Sequence, residues 1–549
     1  MKRKVLSVLL ASAMVMSMAA CGSKEEAPAA NNSSAAAPAA SSEAAPAASS
    51  EAAPAEFQLT EPIEVVVDGT VNYVKEDSGK EEFVAAMNAA VSEKMGYDVT
   101  FEFTALDHSG YTDAVGRLFA GGDYPDVMVM NAGMFRQYQT TGLLWDMSEA
   151  YDNAEFQARM NLASINEALK TEDGSLYGFT PAYGNGCVTF VKQTWLDAVG
   201  MKVEDIKTYD DFYNMITAFS TQDPDGNGVD GDSYGYISAG LYGDEAPHIN
   251  YLPEFWQDGY PGLLQGDDGV WYDGFQTEET KAALLRLQKA YADGVIDPES
   301  YTFGTKAARE KFWSADQTGS AGCFCYWAGS WYENIYNNLQ KNGVETDLVQ
   351  LPPIAEVEAI GGYINRESPV WVIIDDGDGD DSREQAVFDA FIETMLDGDK
   401  VQTLWTYGAE GTHWSLKAES ITTGAGEKAK TTEYKEGEFH LLPTIADPTA
   451  LFKKNHIDNA FVVAPLTNGY ASSTDMIDTS NKFFTDNCVD APAAPASETY
   501  TNESGNINDA KKAVISAVVV EGGDVDAAME TYVNTVGATV EQCLAELNG

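Results

Sequence analysis

The fold is decided by one stretch of the chain, residues 173–235. It begins DGSLYGFTPAY (173–183), continues TFVKQTWLDAVGMKVEDIKTYDDFYNMITAFS (189–220) and ends TQDPDGNGVDGDSYG (221–235). The first part predicts a turn and then a strand that leaves one structural unit. The middle part predicts two helices separated by a turn, and the last part is a loop of oxygen ligands and glycines.

The loop at the end of this stretch has the ligand spacing of a calcium site. Asp223, Asp225 and Asn227 alternate with small or rigid residues, as in the first half of an EF-hand loop. The carbonyl of Val229 has the position of the backbone ligand. The glutamate that closes an EF-hand is missing, because Tyr234 is there instead. The sequence therefore predicts a calcium loop without the exiting EF-hand helix.

Three side chains do not complete such a site, since calcium takes about six to eight oxygen ligands. Asp230 and Asp232 are the nearest further donors in the sequence. The alternative is an acidic turn that holds no metal, because Asp, Asn and Gly are common in turns for other reasons.

These segments together resemble the extracellular solute-binding proteins of ABC importers, in the group that handles carbohydrates. In that family a DGxxYGxP crossing precedes a segment that stands here as WLDAVGMKVEDIKTYDDFYNMITAF, followed by DPDGNG. Other segments extend the resemblance in the same order: GDYPDVMVMN, TGLLWDMSEA, TKAALLRLQKAYADGVIDPES and YGAEGTHWSL. The family usually has its last acidic ligands at the ninth and tenth loop positions. Gly231 and Asp232 are there in this chain, so the choice between Asp230 and Asp232 stays open.

The resemblance implies an α/β fold of the periplasmic-binding-protein type. Two α/β lobes would be joined by a hinge that the chain crosses several times, with a ligand cleft between them. Lobe one would take residues 58–182 and 353–412, and lobe two residues 183–352 and 413–549. Ligand binding would close the lobes by a hinge motion.

The N-terminal residues predict a lipoprotein. Residues 1–20 combine a basic start with an apolar run too short for a membrane span, which is typical of a signal peptide. Small residues precede Cys21, which we expect to carry the lipid; the alternative is an ordinary secretory signal. Residues 21–57 form a tether of Ala, Ser, Pro and Glu. We therefore expect the protein at the extracellular face of the cell membrane, held by the lipid alone.

The first half of the folded body alternates strand and helix patterns. Because such alternation is typical of a parallel sheet, ligands are expected beyond the carboxyl ends of its strands. Asn131 follows the third predicted strand and becomes a candidate for the cleft. The predicted elements are strands at 61–68, 99–103 and within DYPDVMVMN, and helices at 81–95 and 114–120.

Charge and cysteine usage exclude several classes of protein. The chain has 86 acidic against 33 basic residues, which argues against nucleic acid or an anionic membrane as partner and favours a neutral ligand. Five scattered cysteines besides Cys21 do not form a disulfide pattern, and Cys323 and Cys325 are expected to be buried on one face of a strand. The run DDGDGDD (375–381) is interpreted as a solvated turn before a helix at 382–396, with Ser382 and Gln385 as a capping box.

Aromatic residues are the candidate ligand contacts. An aromatic ring covers the apolar face of a sugar, and the turn at Gly329-Ser330-Trp331 resembles one that stacks on sugar in maltose-type binding proteins. The alternative is that these side chains belong to the core, which aromatic residues often dominate. The candidates are Asn131, Tyr183, Trp327, Trp331, Trp371 and Trp414.

The sequence thus predicts a monomeric binding protein that delivers an oligosaccharide to an ABC permease, and no enzyme. A peptide or another small solute remains an alternative ligand, since a fold does not fix chemistry. A lipid-anchored glycoside hydrolase is the alternative of another class, and it would need a pair of positioned carboxylates. A surface sensor that binds without transport is the third possibility.

Overall fold

The structure, a computed structural model, describes residues 57–549 apart from 70, 123, 140, 159–165, 168, 172, 182–185, 240, 242–250, 367, 425, 427–428, 454–474 and 493–494. The predicted signal peptide, Cys21 and nearly all of the tether lie outside the described residues. Within the described ranges, no helix combines the length and the hydropathy needed to cross a bilayer.

Two four-stranded sheets organise the described part of the chain. Their strands, in chain order, are β1 (Ile63–Asp68), β2 (Phe101–Leu106), β3 (Val127–Met130), β4 (Cys187–Lys192), β5 (Tyr234–Ile237), β6 (Ala321–Trp327), β7 (Leu348–Gln350) and β8 (Val370–Ile373). Four two-stranded ribbons accompany them: Leu263–Gln265 with Trp271–Asp273, Tyr363–Ile364 with Cys488–Val489, Trp414–Ser415 with His440–Leu441, and Glu419–Thr423 with Lys430–Tyr434.

The first sheet has the strand order β8-β3-β1-β2. β1 runs parallel to β2 and β3, as the alternating pattern predicts, and β8 joins β3 in antiparallel register. Successive residues of β1 face two different cores: Val65 and Val67 face one, which we call the first core, and Val66 faces the other. Burial on both faces explains the continuous apolar runs of these strands.

The second sheet has the order β5-β6-β4-β7, with β5 parallel to β6 and β4 antiparallel to both β6 and β7. Every residue of β6 is buried. Cys323 and Cys325 are fully buried there as free thiols, which confirms the prediction from their spacing. The residues around this sheet form what we call the second core.

The α-helices begin and end close to the predicted positions. Thr208 caps the helix Tyr209–Thr221 and forms a capping box with Asp211. The helices are Lys80–Met95, Tyr111–Gly121, Ala132–Tyr138, Ser148–Asn153, Gln193–Ala198, Tyr209–Thr221, Pro253–Trp256, Glu278–Ala292, Thr305–Phe312, Ser330–Lys341, Ala355–Glu358, Ser382–Val387, Lys400–Tyr407, Asp475–Asp486, Glu498–Ile515 and Val525–Asn548. Short 3₁₀ turns occupy Glu76–Ser78, His108–Gly110, Glu155–Ala158, Val203–Asp205, Gly274–Gln276 and Pro298–Tyr301, and π-helical turns Phe388–Glu393 and Ser516–Val520.

Two local predictions are wrong. The helix Ser382–Val387 has Asp381 at its N-cap and forms no capping box, because Ser382 is already helical and its hydroxyl donates to Asp380. The predicted strand within DGSLYGFTP is no regular strand. Only Phe179 pairs there, through two hydrogen bonds with the backbone of Trp371.

The lobe boundaries stay a prediction, and the packing would shift them. Tyr363, placed in lobe one by the sequence, packs in the second core, whereas Phe452, placed in lobe two, packs in the first core. The residue after Phe452 is also tied to the first core, because the Tyr73 hydroxyl donates to the Lys453 carbonyl at 2.5 Å. We propose that the second crossing lies at 364–370 and that the chain stays with the first lobe until about residue 453.

Candidate functional site

Two chain segments connect the sheets side by side. The first runs from Phe179, which is bridged to Trp371 of β8, to Cys187 at the start of β4, and the second leads from Ile364 to Val370 at the start of β8. A β-carbon on Gly186 would lie 2.5 Å from the Ile364 carbonyl oxygen, so only glycine allows the two segments to pack this closely. In a two-lobed binding protein, the ligand cleft is expected beside such crossings.

Aromatic rings and two arginines lie at the end of β6, next to the crossings. We call Tyr326, Trp327, Trp331, Arg309 and Arg366 the aromatic–arginine platform. The rings of Trp331 and Tyr326 meet edge to face at 5.1 Å, and the guanidinium of Arg309 lies 4.4 Å from the centroid of the Trp331 ring. Trp327 is 7% exposed and packs in the second core, so it supports the platform and offers no open ring to a ligand. The guanidinium of Arg366 lies 5.0 Å from the centroid of the Trp327 ring. Each tryptophan therefore has a cation over one face.

A glycine turn places Trp331 at this position. Gly329 has φ +71° and ψ −120°, and a β-carbon there would lie 2.3 Å from Asn481 Oδ1. The backbone N–H of Gly329 donates to the hydroxyl of Ser480 at 2.9 Å. The turn starts the helix Ser330–Lys341, and the half-buried Trp331 is in its first turn.

The charge of Arg309 is not neutralised within the described ranges. Its guanidinium donates to the Tyr326 hydroxyl, and no carboxylate of the described residues is within ion-pair distance. A chain with 86 acidic residues could have paired this arginine easily. Arg309 can therefore offer its remaining N–H donors to a polar or anionic group.

Two predicted contacts, Trp371 and Trp414, have other positions. Trp371 is 1% exposed in the first core, where it packs edge to face on Phe391 and Trp405. Trp414 is 5% exposed, and its indole N–H donates to the Gly408 carbonyl at 2.8 Å. Both are core side chains and offer no open ring to a ligand, which corrects the prediction for them. Tyr183 lies outside the described residues.

Asn131 is at the carboxyl end of β3, as predicted, and its side chain caps the next helix. Its Oδ1 accepts from the Met134 backbone N–H at 2.8 Å, and its amide donates to Thr112 Oγ1 at 3.3 Å. The helix that it caps, Ala132–Tyr138, contacts the helix Glu498–Ile515 of the second core. This accounts for the residue without a ligand, so Asn131 is a weaker candidate than the platform.

The loop of residues 223–232 brings the predicted metal ligands together. Asp223 accepts from the backbone N–H groups of Asn227 and Gly228, both at 2.9 Å. The Asn227 side chain contacts Asp225 Oδ2 at 3.0 Å and Asp232 Oδ2 at 2.7 Å. Burial raises the pKa of Asp225, and the neighbouring carboxylates add to that shift.

Asp232 completes this group and Asp230 does not. The second carboxylate oxygen of Asp232 is buried and has no hydrogen-bond partner, whereas Asp230 is exposed. An unpaired buried oxygen beside two further carboxylates and an amide is a donor set that fits a hard cation such as Ca²⁺. The sequence left this choice open, because it could not show which way the loop turns after Gly228.

Comparisons with known proteins agree with this architecture. The family described as bacterial extracellular solute-binding protein matches residues 84–413. Lipoprotein LipO of Bacillus subtilis is 28% identical over 204 residues, 36% of this chain and 38% of LipO. The polygalacturonan/rhamnogalacturonan-binding protein YtcQ of B. subtilis is 23% identical over 363 residues, 62% of this chain and 66% of YtcQ. The chain thus matches less than two thirds of the length of these curated relatives.

Solved structures show the same fold. One is an HMO-binding solute-binding protein from Bifidobacterium longum infantis that is associated with an ABC transporter. It has a TM-score of 0.57 and 15% identity, over 89% of this chain and 99% of that one. Another is an EF-hand mutant of FusA, the substrate-binding protein of an ABC transporter of Streptococcus pneumoniae, in complex with fructo-nystose. It has a TM-score of 0.52 and 14% identity, over 89% and 98% of the two chains. The predicted two-lobe α/β fold is confirmed.

Proposed function

The chain belongs to the bacterial extracellular solute-binding protein family, and we propose that it captures an oligosaccharide and delivers it to an ABC permease. The observation that carries the proposal is the aromatic–arginine platform beside the two crossings. Half-buried Trp331 supplies an apolar ring for the C–H face of a sugar, and Arg309 supplies donors for its oxygens. Closure of the two lobes would then bury the sugar.

The platform favours an acidic sugar over the neutral one expected from net charge. Net charge acts at long range and is screened by salt, whereas a guanidinium in contact binds a carboxylate directly. Arg309 lies against the half-buried Trp331 of an acidic chain, and no carboxylate of the described residues pairs with it. The name of YtcQ, which refers to polymers that contain galacturonate, supports this choice. We propose a uronate-containing oligosaccharide.

Calorimetric titration of the wild type against a panel of oligosaccharides tests this function. The panel contains oligogalacturonates, neutral oligosaccharides of the same length and a short peptide. We expect saturable binding of the oligogalacturonate, weaker binding of its neutral match, and no release of shorter sugars during prolonged incubation. Binding of the peptide alone would contradict the carbohydrate assignment. Steady release of shorter sugars would favour a glycoside hydrolase. Such an enzyme needs a pair of positioned carboxylates, which a binding protein does not need.

We also propose a lipid anchor at Cys21. The family is extracellular and the relative LipO is named a lipoprotein, which supports a protein attached to the cell surface. Attachment by two acyl chains is stable, whereas one chain gives only marginal binding. In cells, Cys21→Ala should release the protein into the medium or leave its signal uncleaved. A variant that is processed and still fractionates with membranes would contradict the anchor.

Calcium is proposed as a structural ion of the 223–232 loop. Asp223, Asp225, Asn227, Asp232 and the Val229 carbonyl would hold it, and it would neutralise carboxylates that now face one another. The solved FusA structure is of an EF-hand mutant, which supports a calcium loop in proteins of this fold. Its role would be to fix the loop ahead of β5.

Chelation tests the calcium proposal because an ion that binds only the folded state raises its stability. We expect a chelator to lower the melting temperature of the wild type, and to lower it less in Asp232→Asn, which no longer holds the ion in this loop. Asp230→Asn is the matched control, since it removes the same charge from the exposed neighbour and should respond like the wild type. Equal responses of Asp230→Asn and Asp232→Asn would contradict the ligand assignment.

A further inference from the structure

A second group of carboxylates lies at the end of β8, in the first lobe. The backbone N–H of Ile374 donates to the Asp126 carbonyl and that of Asp375 to the Leu143 carbonyl, both at 3.0 Å, so the chain is fixed where the strand ends. Carboxylate oxygens of Asp375, Asp376 and Glu384 all lie within 4.8 Å of one another. The sequence interpretation, a solvated turn, did not anticipate a buried acid here.

Glu384 is the unusual member of the group. It is on the helix Ser382–Val387 and is 3% exposed, whereas Asp375 is half-buried and Asp376 is exposed. Its Oε1 accepts from the Asp376 backbone N–H at 3.1 Å, but its Oε2 is buried and has no hydrogen-bond partner. Burial raises the pKa of Glu384, and the charges of Asp376 and Asp375 add to the shift. A buried carboxylate oxygen in a group of carboxylates needs a partner.

No basic side chain of the described residues supplies that partner. The nearest arginine in sequence, Arg383, is committed to Asp126, with Nε to Oδ1 at 3.0 Å and Nη2 to Oδ2 at 2.9 Å. Within the described ranges, no ion pair involves Asp375, Asp376 or Glu384. The three carboxylates therefore lie together without a basic partner, because Arg383 is paired with Asp126.

We propose that Asp375, Asp376 and Glu384 bind a hard divalent cation, such as Ca²⁺, at a site separate from the 223–232 loop. All three donors are carboxylates, the ligand class that Ca²⁺ and Mg²⁺ prefer. Three carboxylates leave coordination positions for water, so the site should bind less tightly than a complete calcium loop. The cation would join the end of β8 to the helix that follows it, and it would stabilise the first lobe. A shared proton on Glu384 is the competing explanation.

Calcium titration of chelator-treated protein, by calorimetry, separates the two explanations. The wild type should bind one ion more than Glu384→Gln, a variant that keeps the size of the side chain and removes its charge. Asp378→Asn, an exposed neighbour outside the group, is the matched control and should bind as many ions as the wild type. Calcium should also raise the melting temperature of Asp232→Asn, in which only the site of Asp375, Asp376 and Glu384 remains.

The test compares the numbers of calcium ions bound by the wild type and by variants that keep the 223–232 loop unchanged. Binding at that loop therefore does not affect the difference. Equal numbers of calcium ions bound by the wild type and Glu384→Gln would overturn the proposal and favour the shared proton. A Glu384→Gln protein that fails to fold is replaced by Asp376→Asn, whose exposed side chain tolerates substitution. Loss of one ion in that variant supports the site, and retention of all ions overturns it.

Discussion

The tryptophans of the platform and of the first core show how the same side chain serves two purposes. Trp331 is half-buried and lies against Tyr326 and Arg309, so its surroundings are partly polar. Trp371 is 1% exposed among apolar rings, and its indole N–H is buried without a partner. A tryptophan enclosed by other rings stabilises the fold, whereas a half-buried one beside a guanidinium with no carboxylate partner can bind a ligand.

The largest expected effect is on the stability of the first core. Trp371→Ala should lower the free energy of unfolding by about 3–5 kcal/mol, because it leaves a cavity between Phe391 and Trp405. Trp371→Phe keeps most of the packing and removes the unpaired N–H, so it should cost less than about 1.5 kcal/mol. Denaturant unfolding of both variants measures this. A cost below about 1 kcal/mol for Trp371→Ala would show that its environment is not a packed core.

The second core contains a buried acid, Glu254. Glu254 is 1% exposed, accepts from Thr189 Oγ1 at 2.7 Å, and has a second oxygen that is buried without a partner. Burial raises the pKa of Glu254 to about 7. The folded state therefore holds this proton more tightly than the unfolded chain, whose glutamates titrate near about 4.3. The stability gained from the proton is complete below that lower pKa and is lost as pH rises through 7.

Glu254→Gln tests this pH dependence, because glutamine keeps the contact with Thr189 and cannot ionise. The unfolding free energy of the variant relative to wild type should rise between pH 5 and pH 8, by an amount on the order of 3 kcal/mol. Denaturant unfolding at both pH values measures the difference. The exposed Glu358→Gln is the control and should show no such trend. A constant difference between wild type and Glu254→Gln would mean that Glu254 is not buried as described.

A smaller effect is expected at the guanidinium of the platform. Arg309→Gln should weaken the binding of an oligogalacturonate about tenfold, since a charged hydrogen bond contributes roughly 1.5–3 kcal/mol and glutamine retains part of it. The neutral oligosaccharide of the same length should lose less than about threefold. Arg117→Gln, with the same charge change on the exposed face of another helix, is the control. Equal losses for the acidic and the neutral sugar would contradict the proposed role of the charge.

The resemblance of the ordered segments to a family predicted the two-lobe fold, and the periodicity of the first half predicted a parallel sheet. The strand–helix alternation of the first half gives the parallel pairing of β1 with β2 and β3. The alternating Cys323 and Cys325 are buried as their spacing indicates. The exceptions are local: Phe179 makes a single bridge in place of a strand, because its partner β8 comes from almost two hundred residues later in the chain.

The candidate site was only partly predictable, since it depends on contacts distant in sequence. Trp331 was found through its glycine turn. Trp371 lies within a strand, and its full burial depends on Phe391 and Trp405, which follow β8 in the chain. Arg309 and Arg366 were missed, because neither is near Trp327 or Trp331 in sequence. The scarcity of basic residues in the chain was the one available signal.

The two acidic segments show the same limit. Alternating ligands made the 223–232 loop recognisable, because all its donors are within ten residues. The group at the end of β8 depends on Glu384, a helical residue whose burial the run DDGDGDD does not reveal. A run of acidic residues does not by itself indicate which of the carboxylates are buried in the fold.

The most direct test of the account is a calorimetric titration of an oligogalacturonate into wild type, Trp331→Ala and Trp331→Phe. If the platform is the binding site, Trp331→Ala should bind about 10–100-fold more weakly, since stacking on an aromatic ring contributes about 1–3 kcal/mol, taking nucleobases as a guide. Trp331→Phe should recover part of the affinity, and all three proteins should melt within a few degrees of one another. Equal affinities in wild type and Trp331→Ala would contradict the account, because the sugar would then bind elsewhere.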